Sequence, residues 1–177
     1  MVDLETLGRG AGCAILSIAA VRFSRTGLHE KFYSTVDFDS CSRLGLEIDP
    51  ETLRWWAQQS PEARAVLRQS LSGTCAPIGA VLAGLQEFLG PDDLIWGHGA
   101  TFDNAILLYA FETAGMPRPW SYRNDRCFRT LLSLYPNVPW DTFEGIEHHA
   151  LDDAKAQALH AVKLLDHHAE KTGEILI

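Results

Sequence analysis

Two carboxylates stand where a first β-strand enters the core: Asp3 and Glu5, with Leu4 between them, in the opening MVDLETLG. Residues i and i+2 of a strand share a face, so an extended segment here sets the two acids side by side. Like charges that close are unfavourable unless a cation sits between them or one takes up a proton. The segment is therefore either a frayed, solvated terminus or half of a metal site completed from elsewhere in the chain. A metal site needs further oxygen ligands, and the rest of the sequence has to supply them.

The chain is large enough to hold such a site in a folded core. At 177 residues, with 46% hydrophobic and 21% charged residues, it has ordinary globular usage and needs no disulfide staples. No internal repeat, low-complexity tract or linker divides it, so one domain over residues 1–177 is expected. No apolar run reaches the length of a membrane span, and the opening residues are acidic rather than a basic-then-apolar signal. Cys13, Cys41, Cys75 and Cys127 are scattered with no C-x-x-C, which fits reduced thiols in the cytoplasm. A formal net charge of −8 argues against coating nucleic acid by bulk electrostatics. It leaves room for an enzyme acting on nucleic acid, because divalent ions supply positive charge locally.

The residue pattern predicts an α/β fold. GRGAG (8–12) reads as a turn, CAILSIAAVRFS (13–24) is apolar and β-branched, and LHEKFYSTVD (28–37) alternates over part of its length. With the short turn at Gly27, these stretches predict a meander of three antiparallel strands. Asp49 then caps a helix with Pro50 in its first position, and Ser60 with Pro61 repeats that signal. Val81, Leu82, Leu85, Phe88 and Leu89 have helical spacing within a segment spanning 76–89. DLIWGHG reads as a short strand, TFDNAILLYAFETAG as a helix capped by Thr101 and closed by Gly115, and CFRTLLSLY as another helix. PNVPWDTFEG is a loop, and a long helix spans 149–170, where His160, His167 and His168 are expected at the surface. The sum is a mixed β-sheet flanked by helices.

Two further stretches carry acids. Asp103 follows the glycine-rich end of a strand and lies in the first turn of a helix, a place that suits a structural acid and an α/β site equally. In EHHALDDAKAQALHAV, His149 and Asp153 are four apart on one helix face, and so are His148 and Asp152. A histidine pair beside an aspartate pair suits proton transfer next to a metal-bound carboxylate, with either histidine as the base.

In chain order these stretches read D-L-E-T, an aspartate after a glycine-rich strand end, and H-H-A-L-D-D-A. The sequence so resembles the DEDDh 3′–5′ exonucleases, the ribonuclease H-like group that includes RNase T, oligoribonuclease and bacterial polymerase proofreading subunits. The group's H-x-A-x-x-D motif fits His148, Ala150 and Asp153, which selects His148 over His149. ETLRWWAQQSPEAR and CFRTLLSLYP further resemble a small stand-alone bacterial and phage branch, some of whose members are exoribonucleases.

The resemblance implies a ribonuclease H-like mixed sheet of three antiparallel strands plus parallel strands. It implies Asp3, Glu5, Asp103 and Asp153 as ligands for two Mg²⁺ or Mn²⁺ ions, with His148 as general base. The substrate implied is a 3′ end of single-stranded RNA or DNA, RNA slightly favoured, and the product a nucleoside 5′-monophosphate. Relatives are often homodimers. Only Met1 and Val2 precede Asp3, fewer residues than relatives place there, so the α-amino group is expected near enough to pair with it. Leu7 matches a position that wedges against the terminal base, Phe102 is placed to stack on a base, and a 2′-hydroxyl contact is expected near Glu5 or Thr6. Trp55 and Trp56 point about 100° apart on a helix, so one enters the core and the other, assigned as Trp56, meets substrate. Arg123 and Arg126, in a stretch with Arg118, Arg129, Trp120 and Tyr122, are expected to track phosphates. Two alternatives stay open: an idle nucleic-acid-binding or scaffold protein, and a phosphodiesterase restricted to short oligonucleotides.

Overall fold

A computed structural model describes residues 1–99 and 101–174. Strands β1 (Val2–Thr6), β2 (Ile15–Ser24) and β3 (Gly27–Thr35) form the antiparallel meander in that spatial order. β1 is buried along its whole length, and its alternation divides its side chains between two cores. Val2 and Leu4, opposite Ala20 and Ile18, join the larger core. That core is filled from α1 (Phe38–Arg43), α2 (Pro50–Trp56), α3 (Ala65–Ser70), α4 (Ile78–Phe88) and α5 (Asp103–Thr113). Asp3 and Glu5 lie opposite Ala19 and Ser17 on the other face, beneath α7 (Ala150–Thr172). The acids thus leave the apolar core to Val2 and Leu4 without interrupting the strand.

β4 (Ile95–Gly97) and β5 (Asp125–Cys127) pair in parallel, and α6 (Phe128–Leu134) follows β5 directly. β4 lies beside β1, although among the described residues no ladder joins the two groups of strands. Helix α7 packs on β2 through Ala150, Ala154, Ala158 and Ala161, which with Ala19, Val21 and Phe128 make the second core. Alanines spaced by three and four residues form one ridge, and their small side chains let the helix axis approach the sheet closely.

Several expectations are corrected. The Ser60 hydroxyl accepts from the Ala63 backbone at 3.1 Å and closes a turn, while the helix itself begins at Ala65. Phe102, not Thr101, is the residue that precedes α5. β5 and α1 are elements that the pattern did not show. His160 is buried under the indole of Trp140, stacked at 4.0 Å with 11° between the rings. His167 and His168 pack around Tyr135. The Met1 amine donates to the Val21 carbonyl at 2.7 Å instead of pairing with Asp3.

Candidate active site

Two elements bring three carboxylates together. β1 supplies Asp3 and Glu5, α7 supplies Asp153 one turn from its start, and one oxygen from each lies within 4.8 Å of the others. They line a cleft of about 830 Å³ whose walls include Trp55, His98, Phe102, Trp140, Phe143 and His148. Burial holds Asp3 well above the usual carboxylate range, with Asp103, Glu5 and Asp153 pushing it further and a hydrogen bond from Gln157 opposing. Burial also raises Glu5, helped by Asp153 and Asp103. Asp153 is raised by burial and lowered again by His148.

Asp103 stands behind this group. It is 1% exposed, and its Oδ2 accepts from the His98 backbone N–H at 2.9 Å. Burial pushes it up to about 6, against the pull of backbone N–H groups at His98, Leu4 and Gly99. The close approach needs glycine at position 97, because a Cβ there would lie 3.1 Å from Asp103 Oδ2 and 2.5 Å from Asn104 Oδ1. A cluster of buried acids with raised affinity for protons is poorly satisfied as it stands, and its donors are hard carboxylate oxygens. Both properties fit Mg²⁺ or Mn²⁺. Asp3, Glu5 and Asp153 are placed to hold such ions, and Asp103, the fourth expected ligand, is near enough for its charge to raise Asp3.

The two histidines diverge. His148 adopts a left-handed backbone, φ 61°, and its ring enters the cleft edge-on to Trp55 with centroids 4.8 Å apart. His149 turns the other way, its ring against Tyr33 and its Nδ1 3.4 Å from Asp152 Oδ2. Asp152 also accepts from the Ile146 backbone and from Lys155, which ties the loop carrying His148 to α7.

A family model described as the 3′–5′ exoribonuclease Rv2179c-like domain matches residues 1–165. The chain belongs to this family. It is 27% identical over 122 residues to an exodeoxyribonuclease of Enterobacteria phage T4, covering 61% of this chain and 53% of that protein. The chain thus spans about half the length of that relative. A solved structure of exonuclease X in complex with 5′-overhanging duplex DNA matches with a TM-score of 0.59 and 18% identity. The match covers 98% of this chain and 92% of that one, and it shows a shared fold.

The residues expected to bind substrate separate into two sets in this family member. Thr6 and Phe102 line the cleft, Thr6 with its hydroxyl donating to the Gly8 carbonyl at 2.7 Å. Leu7 is 1% exposed and packed in the larger core, so it has no free edge to present to a base. Trp56 borders the cleft but is equally buried, its Nε1 donating to the Thr6 carbonyl at 2.9 Å, and Trp55 beside it is the more exposed indole. Arg123 and Arg126 do not line the cleft. Arg123 precedes β5, whose first residue pairs with the first residue of β4, and Asp103 follows the far end of that pair. Within the same stretch Asp125 accepts from Asn104, Trp120 and Arg118. Sequence reasoning missed Trp140 and Phe143 in the cleft wall, and it set aside Arg129, whose guanidinium reaches Gly99 beside Asp103. Two aromatics in an otherwise polar, proline-containing loop were the available signal for the first pair.

Proposed function

We propose that this chain is a divalent-metal-dependent 3′–5′ exonuclease that releases nucleoside 5′-monophosphates from single-stranded 3′ ends. The observation that carries the reading is the meeting of Asp3, Glu5 and Asp153 oxygens in one cleft with the His148 ring. When bound, a pair of Mg²⁺ or Mn²⁺ ions supplies activation of water and offsets the charge of the scissile phosphate. His148 accepts a proton from the attacking water as its oxygen bonds to phosphorus. The P–O3′ bond breaks, and the departing 3′-oxygen takes a proton from solvent. Trp55, Phe102, Trp140 and Phe143 offer ring faces on which bases of any identity stack. RNA is slightly favoured because the family is described by an exoribonuclease, although the phage T4 relative is named for DNA. A cytoplasmic setting and action as one domain over residues 1–177 complete the reading.

The test is digestion of matched 5′-labelled RNA and DNA oligonucleotides with Mg²⁺ or Mn²⁺, with and without chelator. The expected result is a ladder shortening from the 3′ end that chelator abolishes, faster for RNA. Intact bands with both metals would return the chain to an idle binding or scaffold role.

A further inference from the structure

Gln157 lies one helical turn beyond Asp153 on α7, on the same face, and is buried to 6% exposure at the cleft wall. Its Nε2 donates to Asp3 Oδ1 at 2.8 Å, while its Oε1 has no hydrogen-bond partner among the described residues. The charged groups that act on Asp3 are all acids: Asp103, Glu5 and Asp153. We propose that Gln157 is a positioning residue for the cation site: it fixes one oxygen of Asp3 and leaves the other free to ligate. This inference rests on the exonuclease reading above.

The chemistry of the side chain carries the argument. A lysine or arginine would brace Asp3 equally well but would place a positive charge where a divalent ion must sit. An amide donates without charge, so it restrains the carboxylate and leaves its negative charge to the metal. The unpartnered Oε1 is buried and polar, a costly arrangement unless a donor arrives. Mg²⁺ ions retain several waters when bound, and such a water brings the missing hydrogen. Because Asp153 and Gln157 share one face of α7, docking of that helix sets a ligand and the brace of another ligand together.

Gln157→Met preserves length and removes both polar atoms. Without nucleic acid, calorimetric titration should show Mn²⁺ affinity reduced about 10–100-fold, the range for lost outer-shell partners. The metal-free melting temperature should stay at or above that of the unmodified protein. In digestion, the Mn²⁺ concentration for half-maximal rate should rise by the same factor, with turnover recovering at saturating Mn²⁺. Unchanged Mn²⁺ affinity in folded Gln157→Met overturns the proposal, and the unmodified protein still binding Mn²⁺ leaves the exonuclease reading intact. An unmodified protein that binds no Mn²⁺ overturns both. If the variant does not fold, a crystal structure of the unmodified protein with Mn²⁺ decides. An amide still bonded to Asp3 supports the role, and one turned away overturns it.

Discussion

His148 is held at φ 61°, a backbone region that costs a residue with a Cβ roughly 1–2 kcal/mol, and asparagine enters it more readily than most. The strain aims the ring at Trp55 and the carboxylates, whereas its neighbour in an ordinary extended conformation faces Tyr33. His148→Asn keeps the backbone geometry and removes the base. Turnover should fall about 10²–10⁴-fold, with Mn²⁺-induced thermal stabilisation retained. His149→Ala should lower turnover far less, since that ring is outside the cleft. Single-turnover kinetics on a labelled oligonucleotide make the comparison, and a larger loss for His149→Ala would reverse the assignment.

Helix α7 is the element on which the site depends, because its alanine ridge seats Asp153 and Gln157 against β1 and β2. Ala154→Leu forces extra volume into that seam. It should cost about 1–3 kcal/mol in urea unfolding and also weaken Mn²⁺ binding, since the helix carrying Asp153 must move outward. Full stability loss with unaltered Mn²⁺ affinity would show that the site tolerates displacement of the helix. Elements of this kind were legible where one apolar face ran long enough to show a period: the meander, α4 and α7. β5 was not, because Asp125, Arg126 and Cys127 show no alternation and become a strand only by pairing with β4. The internal order of the basic stretch was hidden for a related reason. Asp125 pairs with Arg118 and orders the segment, a partnership that residue counts do not show. The side-by-side placement of Asp3 and Glu5 was readable because a strand's period fixes which side chains share a face. His148 was singled out over His149 only by the resemblance to the H-x-A-x-x-D motif, and the burial of Leu7 and Trp56 follows from packing between distant segments.

Across the whole molecule, the acids and the buried bases pull stability in opposite directions with pH. The Asp3 carboxyl is raised by burial, and Asp103 is pushed up to about 6. The folded state therefore binds more protons than the unfolded chain above about pH 4. Their contribution is complete below that point and is lost as pH rises, for Asp103 through about 6. His98 and His160 are lowered by burial, so their contribution grows with pH over the same window. The difference between the unmodified protein and Asp3→Asn cancels the histidines. Without divalent metal, Asp3→Asn should gain stability relative to the unmodified protein as pH rises from about 4 to about 8, because the buried Asp3 carboxyl is penalised for ionising. Added Mg²⁺ should reverse the order, because it binds the ionised form of the unmodified cage and displaces protons from it. Parallel melting curves of the two proteins across that range would exclude Asp3 from the titrating cage. One arrangement described above also gives the molecule an optical voice. Trp140 lies flat on His160 with its other face toward the cleft. A base that stacks there changes the surroundings of that indole, so the entry of substrate is written into the protein's own fluorescence, with no label attached.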